Sequence, residues 1–136
     1  MKITVHSVIE NLTDKGLVEG EPEINIITAD AFVNTIADST VISYTEESEG
    51  NLTRTRITVK DGTVHLSRSG AIEWNVLFDE GSTISTLYEI PPYSFDCLVQ
   101  TKRVKVTPGN PYEIRLVYSM DIGGGKKNAR MRITVG

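Results

Sequence analysis

The stretch Ile57–Ser67, ITVKDGTVHLS, decides the class of fold. Apolar residues alternate with polar ones on both sides of the central Asp61-Gly62 pair. Alternation with a period of two is typical of a half-buried β-strand, and Asp-Gly between two such runs is a strong signal for a two-residue hairpin. The stretch therefore predicts two antiparallel strands joined by a tight turn.

The same alternation recurs along the whole chain. Threonine, valine and isoleucine number 15, 13 and 14, against 5 alanines and 8 leucines. β-Branched side chains suit pleated strands better than helices, and no window carries an apolar stripe at the helical period. The sequence predicts an all-β chain of about ten strands, near residues 2–12, 22–36, 40–47, 52–60, 63–69, 72–79, 83–90, 93–107, 111–122 and 127–135.

Short turn signals between these strands predict an antiparallel meander. A meander of about 8–10 strands removes its exposed edges best by closing into a barrel, and 136 residues suffice for a single domain over 1–136. The apolar positions change phase within 93–107, and again within 22–36 between Ile26 and Ile27. Both changes indicate a bulge or a barrel corner.

Composition restricts the class of protein. The apolar fraction of 39%, the charged fraction of 24% and the net charge of −4 are ordinary for a soluble domain. No apolar run approaches a membrane span, and Met1-Lys2 leads directly into a strand instead of a signal peptide, so we expect a cytoplasmic protein. The single cysteine, Cys97, has no disulfide partner in the chain and is predicted to be a buried core thiol.

Several segments resemble the small bacterial YwiB-like family of proteins of unknown function. They are ISYTEE (42–47), TRITVKDG (55–62), LSRSGAIEWNVLFDEGSTISTLYEI (66–90), LVQTK (98–102), IRLVYSMDIGG (114–124) and MRITV (131–135). The Arg68-Ser69-Gly70 triplet in its strand-turn-strand context is among the most specific elements. The resemblance implies a lipocalin-like (calycin) β-barrel; it implies no activity or ligand.

Arg68 stands where an alternating strand carries an apolar residue, in phase with Leu66, and is predicted to face the barrel interior. A buried guanidinium requires a carboxylate or several carbonyl partners. By the same phase argument Glu46, which follows Tyr44, and Asp30 face inward. Arg68 then either closes one end of the barrel by pairing with Glu46, or anchors an anionic ligand group, or ends its strand in solvent.

Inward aromatic residues are numerous for so short a chain. A barrel of about eight strands is either just packed or holds one small ligand, and inward tyrosine hydroxyls need partners. The sequence leaves both alternatives open. The predicted inward aromatics are Phe32, Tyr44, Trp74, Phe78, Tyr88, Phe95, Tyr112 and Tyr118, and the candidate ligand-binding residues are Arg68, Trp74, Tyr88, Tyr118, Tyr44 and Glu46.

Signatures of catalysis are weak. The chain lacks a GxSxG nucleophile elbow, and the run Gly123–Lys127 lacks the ending of a phosphate loop. His6 and His65 lie in outward phase, which argues against a zinc site. We expect no catalytic residue, no metal and no cofactor; an enzyme built on inward Asp30 or Glu46 is a third hypothesis.

The last part of the chain is rich in basic residues. Lys105, Arg115, Arg130 and Arg132 fall in outward phase on neighbouring strands and should form one cationic patch. The acidic N-terminal strands neutralise this patch, or it meets another subunit or an anionic macromolecule. Outward aromatics are missing beside these residues, which argues against recognition of single-stranded nucleic acid.

The leading hypothesis is a non-enzymatic barrel that binds a small, partly apolar ligand inside, either neutral or anionic. The alternative is a packed barrel that acts through its surface, as a homodimer or as the partner of an anionic macromolecule, through the basic C-terminal strands. Neither hypothesis involves a membrane.

Overall fold

The chain forms a closed antiparallel barrel of ten strands, in a computed structural model that describes residues 1–136. Each strand pairs with the next one in sequence, and the last pairs with the first. The chain contains no helix long and apolar enough to cross a membrane. The strands are β1 (Lys2–Leu12), β2 (Val18–Ile36), β3 (Ser39–Ser48), β4 (Asn51–Lys60), β5 (Thr63–Gly70), β6 (Glu73–Phe78), β7 (Thr83–Ile90), β8 (Tyr93–Thr107), β9 (Tyr112–Ile122) and β10 (Gly125–Val135).

The predicted fold class is confirmed, including the lipocalin-like closure of the meander. The hairpin that joins β4 and β5 has positive φ at both Asp61 (51°) and Gly62 (75°). Two positive φ values define the turn that Asp-Gly favours between right-twisted strands. It sets Lys60 opposite Thr63 and Val59 opposite Val64.

One apolar core fills the barrel. It is built from alternate residues of nearly every strand, and Ile3, Ile42, Ile57, Phe78 and Ile114 are fully buried. Cys97 is a buried free thiol, as predicted, and burial raises its pKa to about 11. The thiol therefore stays protonated at neutral pH and contributes packing volume.

β8 contains the predicted bulge. Its register against β9 shifts between Thr101 and Arg103, so that the inward positions move from Val99 and Thr101 to Val104. The backbone N–H of Val104 donates to the Glu80 carboxylate at 3.3 Å. One extra residue in the strand accounts for the phase change seen in the sequence.

The bulge or corner predicted between Ile26 and Ile27 in β2 is wrong, because the register of β2 against β1 is continuous there. The irregularity lies earlier, where the register steps from Ile9 opposite Glu23 to Asn11 opposite Glu19. From residue 23 onward the alternation is regular, and Ile27 packs against the core while Ile26 lies outside and is 66% exposed. The sequence alone does not distinguish an isoleucine that faces solvent from one that faces the core, so Ile26 was read as inward.

Two neighbouring pairs of strands are only partly paired, and the longer gap, which we call the open seam, lies between β2 and β3. β2 pairs with β1 through most of Val18–Asp30 and with β3 only from Ala31 to Ile36. The edge of β2 before Ala31 and the edge of β3 after Tyr44 therefore carry free backbone groups that face each other. A second, shorter break lies between β6 and β7, which share only two paired positions.

Candidate functional site

Five side chains form a row across five neighbouring strands beside the open seam. The cross-strand pairs are Tyr44 with Thr55, Thr55 with Arg68, Arg68 with Trp74, and Trp74 with Tyr88. Paired residues in a sheet point to the same face with their Cβ atoms roughly 5 Å apart. We call these five residues, together with Glu46 and Tyr118, the Arg68 cluster. It contains all six predicted ligand-binding residues.

Arg68 and Glu46 form an ion pair inside this cluster. The Nη2 of Arg68 donates to Oε1 of Glu46, and the two side chains are only 18% and 19% exposed. Glu46 lies two positions beyond Tyr44 on β3, diagonally across from Arg68. The pairing with Glu46 is the first of the alternatives that the sequence left open for Arg68.

Gly70 allows the end of β5 to approach the backbone of Leu52 on β4. Its φ is +123°, and a Cβ at this position would lie 2.3 Å from the carbonyl oxygen of Leu52. That carbonyl accepts a hydrogen bond from the backbone N–H of Ala71 at 3.0 Å. Only glycine combines this φ with so close an approach, which explains the Arg-Ser-Gly triplet at the end of β5.

Aromatic rings occupy the interior beside the ion pair. The ring of Trp74 meets Tyr88 edge-on at 5.5 Å and Phe78 at 6.4 Å, and Phe78 lies 4.7 Å from the ring of Tyr118. Edge-to-face contacts at these distances are favourable. Trp74 and Tyr118 are buried, and this part of the barrel is packed rather than hollow.

The hydroxyls of Tyr44 and Tyr118 stay protonated at neutral pH because burial raises the pKa of both. Burial raises the pKa of Tyr44, while the positive charge of Arg68 has a smaller effect in the opposite direction. Burial also raises the pKa of Tyr118, with smaller effects from Cys97 and Tyr88 that act in the same direction. The hydroxyls can therefore donate as well as accept hydrogen bonds.

Two adjacent N–H donors of the cluster have no acceptor. Nε of Arg68 and Nε1 of Trp74 are both buried without a hydrogen-bond partner. A buried donor that is left unpaired costs about 1–3 kcal/mol. Two unpaired N–H groups on neighbouring residues therefore indicate that an acceptor is missing. Oγ1 of Thr55 is likewise buried without a partner, so three polar groups of the cluster can each donate a hydrogen bond that the protein itself does not use.

A cleft of about 940 Å³ opens at the seam and reaches the cluster. Tyr44, Glu46 and Thr55 belong both to its lining and to the cluster. Ile27 and Ala29 of β2 supply an apolar wall, and outward residues of β3, β4 and β5 form its rim. The cleft therefore combines an apolar wall with a mostly polar rim, and it meets the cluster at Tyr44, Glu46 and Thr55.

Two residues predicted to face inward lie outside. Asp30 is on the outer surface, where its carboxylate pairs with Nζ of Lys2 at 2.9 Å, and Phe32 is 76% exposed. Both predictions were wrong because they placed these residues in phase with Ile26, which itself faces solvent. Asp30 is thereby removed from any interior site. Phe95 shares the inward phase of Cys97 but is 38% exposed.

Thr55 is the member of the cluster that the sequence prediction missed. It is buried between Tyr44 and Arg68 in the register. Its inward phase with Ile57 and Val59 was readable, but threonine carries no charge or ring to single it out. No group of three or more histidine, cysteine, aspartate or glutamate side chains is placed to hold a metal ion.

The predicted basic residues lie together on the outside of β8, β9 and β10. Lys105 stands opposite Arg115, and Arg115 stands opposite Arg132, so three cations follow one another across the sheet. Arg130 lies two residues from Arg132 on β10. On β1, the residues opposite Arg132 and Arg130 are His6 and Val8. The acidic N-terminal strands therefore place no carboxylate in these two positions.

Comparisons with known proteins agree with the fold. The family model described as "Domain of unknown function (DUF1934)" matches residues 7–135. The crystal structure of the ywiB protein from Bacillus subtilis superposes with a TM-score of 0.76 and 23% sequence identity, covering 99% of this chain and 92% of that one. No curated protein matches the chain. The structural likeness supports the barrel and, at this identity, nothing finer.

Proposed function

Because the chain belongs to the DUF1934 family of domains of unknown function, we propose its function from its own site: the Arg68 cluster binds a small, partly apolar molecule that carries a hydrogen-bond acceptor. The observation that carries the proposal is the pair of buried donors, Arg68 Nε and Trp74 Nε1, that lack an acceptor. A carbonyl or similar oxygen between them would satisfy both donors. The cytoplasm is the proposed compartment.

The charge of the site restricts the ligand. The ion pair with Glu46 already neutralises Arg68, so a neutral acceptor fits without further change. An anionic ligand would have to displace the Glu46 carboxylate from Arg68. Glu46 lines the cleft, so its carboxylate could turn towards water, but the ion pair would be lost. The apolar wall of Ile27 and Ala29 suits the rest of the molecule.

Prodan is a suitable probe, since this neutral naphthalene ketone combines an apolar ring system with a carbonyl acceptor and leaves the ion pair of Arg68 and Glu46 intact. Trp74 is the only tryptophan, so energy transfer from Trp74 to the bound dye locates binding beside the cluster in the wild type. Affinities of the wild type and all variants are measured from the emission of the directly excited dye, because Trp74→Phe removes the energy donor. We expect saturable 1:1 binding to the native protein. Native mass spectrometry of gently purified protein tests in parallel for a retained molecule.

Three variants test the assignment. Arg68→Lys keeps the positive charge but removes the Nε–H donor, and Trp74→Phe keeps an apolar ring without the indole N–H; each should weaken dye binding at least about tenfold, the loss of one buried hydrogen bond. Arg115→Lys is the matched control on the outer surface and should bind as the wild type does. Far-UV circular dichroism verifies the fold of each variant, because Trp74→Phe removes the only tryptophan and so alters the near-UV spectrum by itself. Unchanged binding by both cluster variants would contradict the proposal.

A second candidate function is assembly into a homodimer through β2. The edge of β2 before Ala31 is unpaired, and Ile24, Ile26 and Phe32 are 59%, 66% and 76% exposed. Long apolar edges are templates for pairing with another chain. An antiparallel pair centred on Ile26 would set Ile24 opposite Thr28 of the second copy and keep the acidic ends of the two strands apart.

Light scattering coupled to size exclusion tests this second candidate. The wild type should elute as a dimer, and Ile26→Lys, which places a charge on the edge, should elute as a monomer. Leu98→Lys is the matched control, because Leu98 is similarly exposed on another strand. A monomeric wild type would eliminate the dimer and leave the ligand proposal unaffected.

A further inference from the structure

The outer surface of β8, β9 and β10 carries five exposed cations: Arg103, Lys105, Arg115, Arg130 and Arg132. We call these five residues the basic face. They surround a shallow groove of about 440 Å³ whose lining also includes His6, Val8 and Val117. The basic face is distinct from the Arg68 cluster, which lies inside the barrel.

The basic face is almost without counter-charge. Among its five cations only Arg115 forms an ion pair, with Glu113 on the same strand. Like charges directly opposite each other in a sheet are destabilising, yet Arg115 has a cation opposite it on both neighbouring strands. An external anion would reduce the repulsion between these cations. The whole chain has a net charge of −4, so the excess of cations is confined to this surface.

The type of cation indicates the type of anion. Four of the five residues are arginines, whose planar guanidinium matches the oxygens of a phosphate in a bidentate way. The groove is lined by no phenylalanine, tyrosine or tryptophan, and the His6 imidazole is its only aromatic ring, so it lacks the row of aromatic side chains on which successive nucleobases stack. A nucleic acid or other polyanion would therefore be bound through its phosphate groups, without contacts that distinguish one base from another.

We infer that the basic face binds a chain of closely spaced phosphate groups through the phosphates alone. Inorganic polyphosphate and the backbone of a nucleic acid share this chemistry. The successive cations from Lys105 through Arg115 to Arg132 supply a track on which consecutive phosphates can lie.

Fluorescence anisotropy with labelled inorganic polyphosphate tests the inference in the full-length protein. If about four phosphates are neutralised, affinity should fall about a hundredfold when salt rises from about 50 to about 200 mM. The double variant Arg130→Gln/Arg132→Gln should bind at least about tenfold more weakly and show a shallower salt dependence. Equal affinity of this variant and the wild type would overturn the inference.

A matched control is available on the opposite side of the barrel. Arg54 and Arg56 are exposed on β4 at the same two-residue spacing, and Arg54→Gln/Arg56→Gln should bind polyphosphate as the wild type does. Competition with single-stranded polyuridine then distinguishes the sources: competition supports a nucleic-acid backbone, and its absence supports polyphosphate itself. Equally tight binding of polyglutamate would overturn the phosphate assignment and identify an acidic polypeptide as the partner.

Discussion

The ion pair between Arg68 and Glu46 can be measured by a double-mutant cycle with Glu46→Leu, Arg68→Met and both together. The two side chains are about four-fifths buried, and breaking a fully buried pair by removing one partner costs about 3–5 kcal/mol. Glu46→Leu leaves the guanidinium with no acceptor and should cost about 3 kcal/mol. Arg68→Met leaves a carboxylate that lines the open cleft and can be rehydrated, so about 1.5 kcal/mol is expected.

The double variant decides whether the two side chains act together. Apolar replacement of a whole buried pair is often nearly neutral, so the double variant should lose only about 1.5 kcal/mol, no more than Arg68→Met alone, which implies a coupling of about 3 kcal/mol. Urea unfolding followed by far-UV circular dichroism is the assay. With a slope of about 2 kcal/mol/M, Glu46→Leu should lower the midpoint by about 1.5 M with the slope unchanged.

The exposed pair of Lys2 and Asp30 is the internal control. Its side chains are 67% and 81% exposed, and the hydrogen bond from Lys2 lowers the pKa of Asp30 without burying it. Lys2→Met and Asp30→Leu should show little coupling. A coupling for Arg68 and Glu46 below about 0.5 kcal/mol, equal to that of an exposed pair, would refute the reasoning.

Three further predictions concern the backbone and the buried thiol. Gly70→Ala should destabilise by about 2–4 kcal/mol, because its Cβ would collide with the Leu52 carbonyl, whereas Gly62→Ala, with a positive φ but open space, should cost only about 1 kcal/mol by thermal unfolding. Cys97 should react with Ellman's reagent at pH 8 only at the rate of unfolding, and prompt labelling would contradict its burial. Its pKa rises from 9.0 to about 11 on folding, so its contribution to stability is complete below pH 9 and is lost as pH rises through 11; Cys97→Ala should therefore lose less stability over this range than the wild type does.

The strands of the barrel could be predicted because local patterns specify them. The Asp61-Gly62 turn and the alternation around it determine register without help from distant residues. β2 could not be predicted in the same way, since Ile24 and Ile26 are apolar and nevertheless face solvent. Phase analysis assumes that apolar means inward, and the assumption fails where a sheet leaves an open edge.

The Arg68 cluster was partly readable from sequence. Arg68, Trp74 and Glu46 lie on strands joined by short turns, and phase alone gave their direction. The placement of Tyr118 near Arg68 depends on closure of the barrel, because β9 is four strands away from β5 in the sheet order. The missing acceptor beside Arg68 Nε and Trp74 Nε1 is a property of the packed structure and has no local signal in the sequence.

The open seam and the Arg68 cluster belong together physically. Nε of Arg68 and Nε1 of Trp74 are buried without an acceptor, so each carries a desolvation cost in the unliganded barrel. β2 directs its backbone hydrogen bonds before Ala31 to β1, which leaves the gap to β3 open beside Tyr44 and Glu46. The strand that departs from the expected pairing is thus the one that opens the cleft onto Tyr44, Glu46 and Thr55. Under the proposed function a ligand would pass through this cleft to the two donors behind these residues, and a partner chain added to the edge of β2 would close the same route.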